Sequence, residues 1–287
     1  MKYIETTNIQ LIADSCCDTT PAMRAAMGLC VVPLTITVDG DKEYRDDGNI
    51  PIKKLLADMK ASKNPITTAA PAPGEYAELM RNADACVVVT LSSKLSGSFN
   101  SAMAARDLVL EEFPDKRIFI IDSKSAAAGQ LRIVLQLESM LLRGATMDEI
   151  EEEMPAFVDN MRTLFVLEDL GNLIKNGRIP KLAGMIGTML MLRPIMGENG
   201  NGEIVALEKV RGTIKALGRL VEILNEKTQK AKDIILTLSY CNCPERAADL
   251  KKMILDACAA IKEVVLVPTG GISTVYANQG GVIVAFA

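Results

Sequence analysis

The chain has 287 residues, which suggests two domains more than one, and 49% of them are hydrophobic, enough for substantial cores and too many for a disordered chain. Lysine plus arginine number 32 against 36 aspartate plus glutamate, a net charge of −4 that argues against a nucleic-acid binder, and the lack of any histidine excludes a Ser-His-Asp or Cys-His triad. No apolar run is long enough to cross a bilayer, and the opening MKYIETTNIQL lacks the apolar core of a signal peptide, so a soluble cytoplasmic protein is expected.

Ile9 to Ala13 reads as a short strand closed by Asp14-Ser15. Cys17-Asp18-Thr19-Thr20-Pro21 follows as a helix start, with proline tolerated in the first turn. Leu29 to Val38 reads as a second strand, turned at Asp39-Gly40 so that Glu43-Tyr44-Arg45 pairs back. Ile52 to Met59 has amphipathic helical spacing. Asn64 to Pro73 is a proline-punctuated loop that cannot be a central strand, and Gly74 to Asn82 returns to helix.

Ala85 to Ala104, ACVVVTLSSKLSGSFNSAMA, is the most informative stretch. Cys86 to Thr90 suits a strand buried on both faces. It ends in Ser92, Ser93, Ser96, Gly97 and Ser98, and helical spacing resumes at Phe99. Ser96, Gly97 and Ser98 therefore stand at a helix N-terminus, where unpaired amides and the dipole favour an anion. Each serine by itself is equally a helix cap. Their density, with a glycine among them, points toward a cradle for a carboxylate or another anion.

Arg117 to Ile121 is a third strand of this kind and ends in Asp122-Ser123. In an open parallel sheet the C-terminal strand edges lie together, so Asp14, Ser15, Ser92, Ser96, Asp122 and Ser123 are expected to converge. Either Asp-Ser pair is alternatively an N-cap. Ala126 to Gly144 and Met147 to Asn160 are helices, and the acidic first turn of the second reads as a solvated face.

From Thr163 to Val166 a second unit begins. Lys175-Asn176-Gly177-Arg178 is a basic turn. Met185, Ile186, Met189 and Leu190 crowd beside glycines, as ordinary helix core or as a groove for a long apolar ligand. Strands are expected at Arg193 to Met196, Glu203 to Leu207, Ile234 to Ser239, Val264 to Val267 and Gly280 to Ala287, with helices at Thr213 to Glu226 and Pro244 to Ile261. The fold class is α/β with two domains, residues 1–162 around a mainly parallel sheet and residues 163–287 around a mixed one. Seven cysteines, none in structural-zinc spacing, are read as reduced thiols, and no metal or cofactor is expected.

Asp14-Ser15, Thr68, Ser92 to Ser98, Asp122-Ser123, Asn176-Gly177-Arg178-Ile179, Arg193-Pro194 and Lys209-Val210-Arg211 follow one another in an order that resembles the DegV family. That family comprises fatty-acid-binding proteins and includes the acyl-carrying subunit of bacterial fatty acid kinase. The resemblance spans essentially the whole chain and implies a long-chain fatty acid held non-covalently between two α/β domains. Its carboxylate would meet Thr68, Ser96, Gly97 and Ser98, and its tail an apolar channel that includes Met185, Ile186, Met189 and Leu190. It further implies that the carboxylate is presented to a fatty acid kinase, with Arg178 in the docking region and Arg211 among the family arginines. The chain departs from the pattern at Ala69, Ala72 and Ser98. It departs most where the family has a histidine: Tyr276 or Val275 stands there, and a tyrosine can donate a hydrogen bond but not become a cation near neutral pH. The competing expectation is an enzyme, a metal-dependent phosphotransferase or small-molecule hydrolase working from Asp14, Ser96 and Asp122.

Overall fold

The computed structural model describes residues 9–179 and 192–287, and they form two α/β domains. The first is built on a four-stranded, all-parallel sheet of Ile9–Asp14 (β1), Cys30–Val32 (β2), Ala85–Thr90 (β6) and Arg117–Asp122 (β7), in the order β2-β1-β6-β7. Every residue of β6 is buried, as its unbroken apolar run requires of a central parallel strand. The strand order reverses direction between β1 and β6. An open sheet forms its ligand crevice at such a point, outside the carboxyl ends of the strands.

The second domain carries Arg162–Val166 (β8), Leu192–Glu198 (β9), Ile204–Arg211 (β10), Ile234–Tyr240 (β11), Ile261–Pro268 (β12) and Val282–Phe286 (β13) in a mixed sheet ordered β10-β9-β8-β13-β11-β12. Only the β11–β12 pair in it is parallel. The second-domain helices Thr213–Thr228 (α8) and Pro244–Ala257 (α9) were expected and are present.

Two differences from the sequence expectations matter for function. The run Leu29 to Val38 is not one strand. Pro33, which has no N–H to give a ladder, separates β2 from Thr35–Val38 (β3). Strand β3 joins a third sheet, β4-β3-β5, with Lys42–Arg45 (β4) and Thr67–Ala69 (β5). Thr67–Ala69 lies within the proline-punctuated loop and is an edge strand, the position such a sequence tolerates. The second difference is a short helix, Gly271–Ala277 (α10), which the sequence reading did not assign although Ile272, Val275 and Tyr276 stand at helical spacing; all but Tyr276 are buried.

Helix Ala128–Leu142 (α5) lies between the two larger sheets, touching β6 of one and β8, β11 and β13 of the other. That explains why it is apolar nearly all round. Thr237 of β11 fixes the join by donating its hydroxyl to Ala128 O at 2.7 Å.

Candidate functional site

The turn after β6 is the seed of the site. Ser92 O accepts the Leu95 and Ser96 amides at 2.9 and 3.1 Å, folding the chain back before helix Ser98–Glu112 (α4) starts. Its shape is fixed from beneath by Asp14, which is fully buried. Asp14 Oδ2 accepts from the Leu91 amide and the Ser98 hydroxyl at 2.7 Å each, and Oδ1 accepts from Cys16 N–H at 3.1 Å and Gln130 Nε2 at 3.0 Å. Ser98 gives its proton to Asp14, so it accepts from the Tyr76 hydroxyl at 2.7 Å. Burial pushes the Asp14 carboxyl above its ordinary range, and the four donors oppose that.

The expected convergence at the strand edge is therefore real, but most of its polar groups are spent on one another. Ser15 Oγ accepts from Leu34 N–H at 3.0 Å. Asp122 Oδ1 accepts from the Ser93 and Lys124 amides at 3.1 and 3.0 Å. Ser123 Oγ donates to Ser125 O at 3.0 Å and accepts from Ser125 N–H. Ser92 Oγ donates to Gly202 O at 2.8 Å, tying the β9–β10 turn to the serine loop. Ser96 and Gly97 differ. Ser96 Oγ accepts from Ser98 N–H at 3.2 Å, which leaves its own proton, and the Gly97 N–H, without an acceptor among the described residues.

Three other segments close around this turn. Thr68 of β5 and Tyr276 of α10 share a hydrogen bond of 2.7 Å between their hydroxyls. The Arg178 guanidinium lies 5.7 Å from the centre of the Tyr276 ring, and its Nε donates to Leu95 O at 3.1 Å. Asn172 and Asn176, on and just after the short helix Gly171–Lys175 (α7), donate to Val275 O at 2.7 Å and Ile66 O at 2.9 Å. Gly97 faces the Ala70 methyl, which a Cβ on Gly97 would meet at 3.8 Å. Residues from four distant parts of the chain thus surround one small polar mouth. Burial raises the Tyr276 phenol above its ordinary range, against the Thr68 hydrogen bond and the Arg178 charge.

Beneath the mouth lies an apolar cavity with roughly 110 Å³ of space for water-sized spheres. Leu91 and Leu95 line it from the first domain, Phe165, Leu173 and Ile283 from the second, and Ile272 from α10. Its few hydroxyls are occupied: Ser125 and Thr163 bond each other at 2.7 Å. Such a wall offers a ligand apolar contact and little else.

The sequence expectations map unevenly onto this site. Thr68, Ser96, Gly97, Arg178 and Tyr276 are brought together at the mouth; of these, Arg178 and Tyr276 also line the cavity. Ser98, Asp14, Ser15, Asp122 and Ser123 are at the strand edge with their side chains engaged as described. Arg178 turns its guanidinium into the site. Arg211 ends β10, an edge strand, where it is exposed and does not line the cavity. Met185, Ile186, Met189 and Leu190 lie outside the described residues. An enzymatic role for the strand edge meets a direct obstacle, because both Asp14 oxygens are already filled by protein donors. Among the described residues, no three His, Cys, Asp or Glu side chains gather as a metal site. Sequence reasoning missed Asn172 and Cys16, which lines the cavity; an isolated asparagine or cysteine gives no pattern to read, whereas Asn176 belonged to a recognised motif but was given no role.

Residues 8–287 match a family model described as "Uncharacterised protein, DegV family". A DegV domain-containing protein of Streptococcus pyogenes serotype M1 is 30% identical over 281 residues, covering 96% of this chain and 98% of its own. A solved DegV-family protein from Ruminococcus gnavus, refined with vaccenic acid, is similar with a TM-score of 0.90 at 36% identity, covering 97% of this chain and 99% of the other. A DegV-family protein from Eubacterium eligens loaded with heptadecanoic acid has a TM-score of 0.88 at 31% identity, covering 96% and 98%. The Streptococcus pneumoniae Fatty Acid Kinase (Fak) B3 protein, loaded with linoleic acid, gives 0.88 at 29% identity, covering 96% and 98%. The chain belongs to the DegV family.

Proposed function

We propose that this protein is a carrier that binds one long-chain fatty acid, tail in the apolar cavity and carboxylate at the mouth. The observation that carries this reading is the pairing of an apolar cavity with a mouth whose Ser96 hydroxyl and Gly97 amide still have hydrogen to donate. Fatty acids bound by the Ruminococcus, Eubacterium and pneumococcal proteins support it. Magnitudes assign the labour. Each methylene taken out of water is worth about 0.8 kcal/mol. A hydrogen bond from a neutral donor to an ionised carboxylate is worth about 1.5–3 kcal/mol net. About eight methylenes therefore outweigh two head-group hydroxyls, and a long acyl tail carries more than that, so the tail holds the ligand and the mouth orients it.

Ser96, Gly97 and the Thr68–Tyr276 hydroxyl pair, which keeps one free proton between its two members, are the proposed head-group donors, and Arg178 supports them by holding the serine turn and the Tyr276 ring. A carboxylate met mainly by neutral donors at a surface mouth stays reactive, which suits delivery to a fatty acid kinase. The likeness to the pneumococcal Fak B3 protein supports that partner. On this reading the chain works in the cytoplasm.

Native mass spectrometry of the purified protein should show a co-purifying acyl chain. A clean apo mass with no uptake of added palmitate or oleate refutes the carrier reading. Thr68→Ala combined with Ser96→Ala should weaken palmitate binding by about 3 kcal/mol or more, over roughly 100-fold. Undiminished affinity in that double variant overturns the head-group assignment while leaving the cavity in place.

A further inference from the structure

The start of α10 is held by acids from the other domain. Gly270 N–H donates to Asp18 Oδ1 at 2.8 Å, and the Gly271 and Ile272 amides donate to Asp46 Oδ1 and Oδ2 at 2.9 Å each. Both carboxylates are buried, Asp46 at 2% exposure and Asp18 at 0%. Neither forms a salt bridge with a described residue. A helix of seven residues is too short to stand alone in water, and its leading amides have no partners of their own. Two buried acids supply them.

Asp46 follows β4, and its own amide donates to Leu34 O at 2.9 Å, so it is anchored to the small three-stranded sheet. Thr68 belongs to the same sheet, on β5. One small sheet therefore grips α10 twice, at its first amides through Asp46 and at Tyr276 through Thr68. The grips are five residues apart, about 7.5 Å along a helix axis. Sliding or turning the helix breaks one grip or the other. Gly271 makes the first grip possible, because a Cβ there would lie 2.6 Å from Asp46 Oδ1.

We propose that Asp46, assisted by Asp18, is a positioning residue that sets the Tyr276 hydroxyl against Thr68 at the mouth and so controls recognition of the ligand's head group. The proposal rests on the carrier reading and on Tyr276 as a head-group donor. Asp46→Asn replaces one acceptor by an N–H donor facing an amide, which breaks half of the grip. Gly271→Ala attacks the same grip from the helix side. The readout is the ratio of affinities for palmitate and for 1-hexadecanol, which share a tail and differ in the head. A merely structural loss lowers both alike.

Tyr276→Phe should lower the acid-over-alcohol ratio about fivefold, the difference between a hydrogen bond to a charged carboxylate and one to a neutral hydroxyl. Asp46→Asn should lower it by a similar factor, and the double variant should fall no further than either single one. Gly271→Ala should repeat the Asp46→Asn result, and it stands in if Asp46→Asn does not fold. If Tyr276→Phe lowers the ratio while both grip variants keep the wild-type ratio, the proposal is overturned and the head-group reading survives. Equal weakening of both ligands by the grip variants overturns it as well. An unchanged ratio in Tyr276→Phe removes the Tyr276 role and the proposal with it, while uptake of palmitate still supports the carrier.

Discussion

At pH 8, Asp18→Asn unfolds with a free energy several kcal/mol higher than the wild-type chain, and the advantage fades as the pH falls toward 4. Asp18 is fully buried; Oδ1 accepts one amide and Oδ2 has no partner among the described residues. Burial is the main force on its proton; the Gly270 amide and the Ser239 and Ser273 hydroxyls oppose it and the Asp46 charge adds to it, and the net effect pushes the carboxyl from 3.8 up to about 7. The folded state therefore holds this proton more tightly than the unfolded chain does. The stability it contributes is complete below about pH 4 and is lost as the pH rises through 7. Ionising the buried group then costs about 4 kcal/mol. Asparagine keeps an acceptor for Gly270 and offers an N–H toward the buried Ser239 hydroxyl. Urea unfolding of both proteins at pH 5, 6, 7 and 8 checks this. Wild-type stability that stays level from pH 5 to 8 contradicts it.

The same acid shows how far the sequence could be read. Three strands ended by Asp-Ser or by serines were visible because each is an apolar, β-branched run cut off by hydroxyls, and their shared edge follows from parallel topology. What each hydroxyl does was not visible. Ser96 and Ser98 are two residues apart in one motif, yet Ser98 points down onto Asp14 and is spent, while Ser96 keeps its proton. Only the helix phase at α4 separates them, and a cap and a cradle have the same sequence. The small third sheet was hidden for another reason. KEYR pairs back on its neighbour β3, as the Asp39-Gly40 turn predicts, but TTA is a short, partly exposed strand whose partner lies some way back in the chain, and it carries no apolar period. Helix α10 has an apolar stripe of Ile272, Val275 and Tyr276, but at seven residues it is too short for a pattern to stand out. Tyr276 drew notice only because the family pattern places a histidine there. Asp46, which sets its position, sits in an acidic loop that reads as solvated surface.

Asp14→Ala should cost about 4 kcal/mol of stability, since removing the acceptor strands several buried donors at once. The amides of Leu91 and Cys16, the Ser98 hydroxyl and the Gln130 side chain all converge on this carboxylate, so a methyl group leaves four donors facing a void. Two of the four, Leu91 and Ser98, bracket the serine turn, so the damage concentrates at the mouth. Hydrogen exchange should quicken across residues 91–98 before the rest of the first domain loosens. Tyr76→Phe serves as the graded control. It removes one donor to Ser98 and leaves the Asp14 bonds standing, so it should cost about 1 kcal/mol. Denaturant unfolding of the two variants measures the ratio directly. A loss below 1 kcal/mol for Asp14→Ala, or exchange that quickens evenly over the domain, would mean that the turn holds its shape without this carboxylate. Ser96 and Gly97 would then owe their outward-facing donors to the strand-to-helix connection alone.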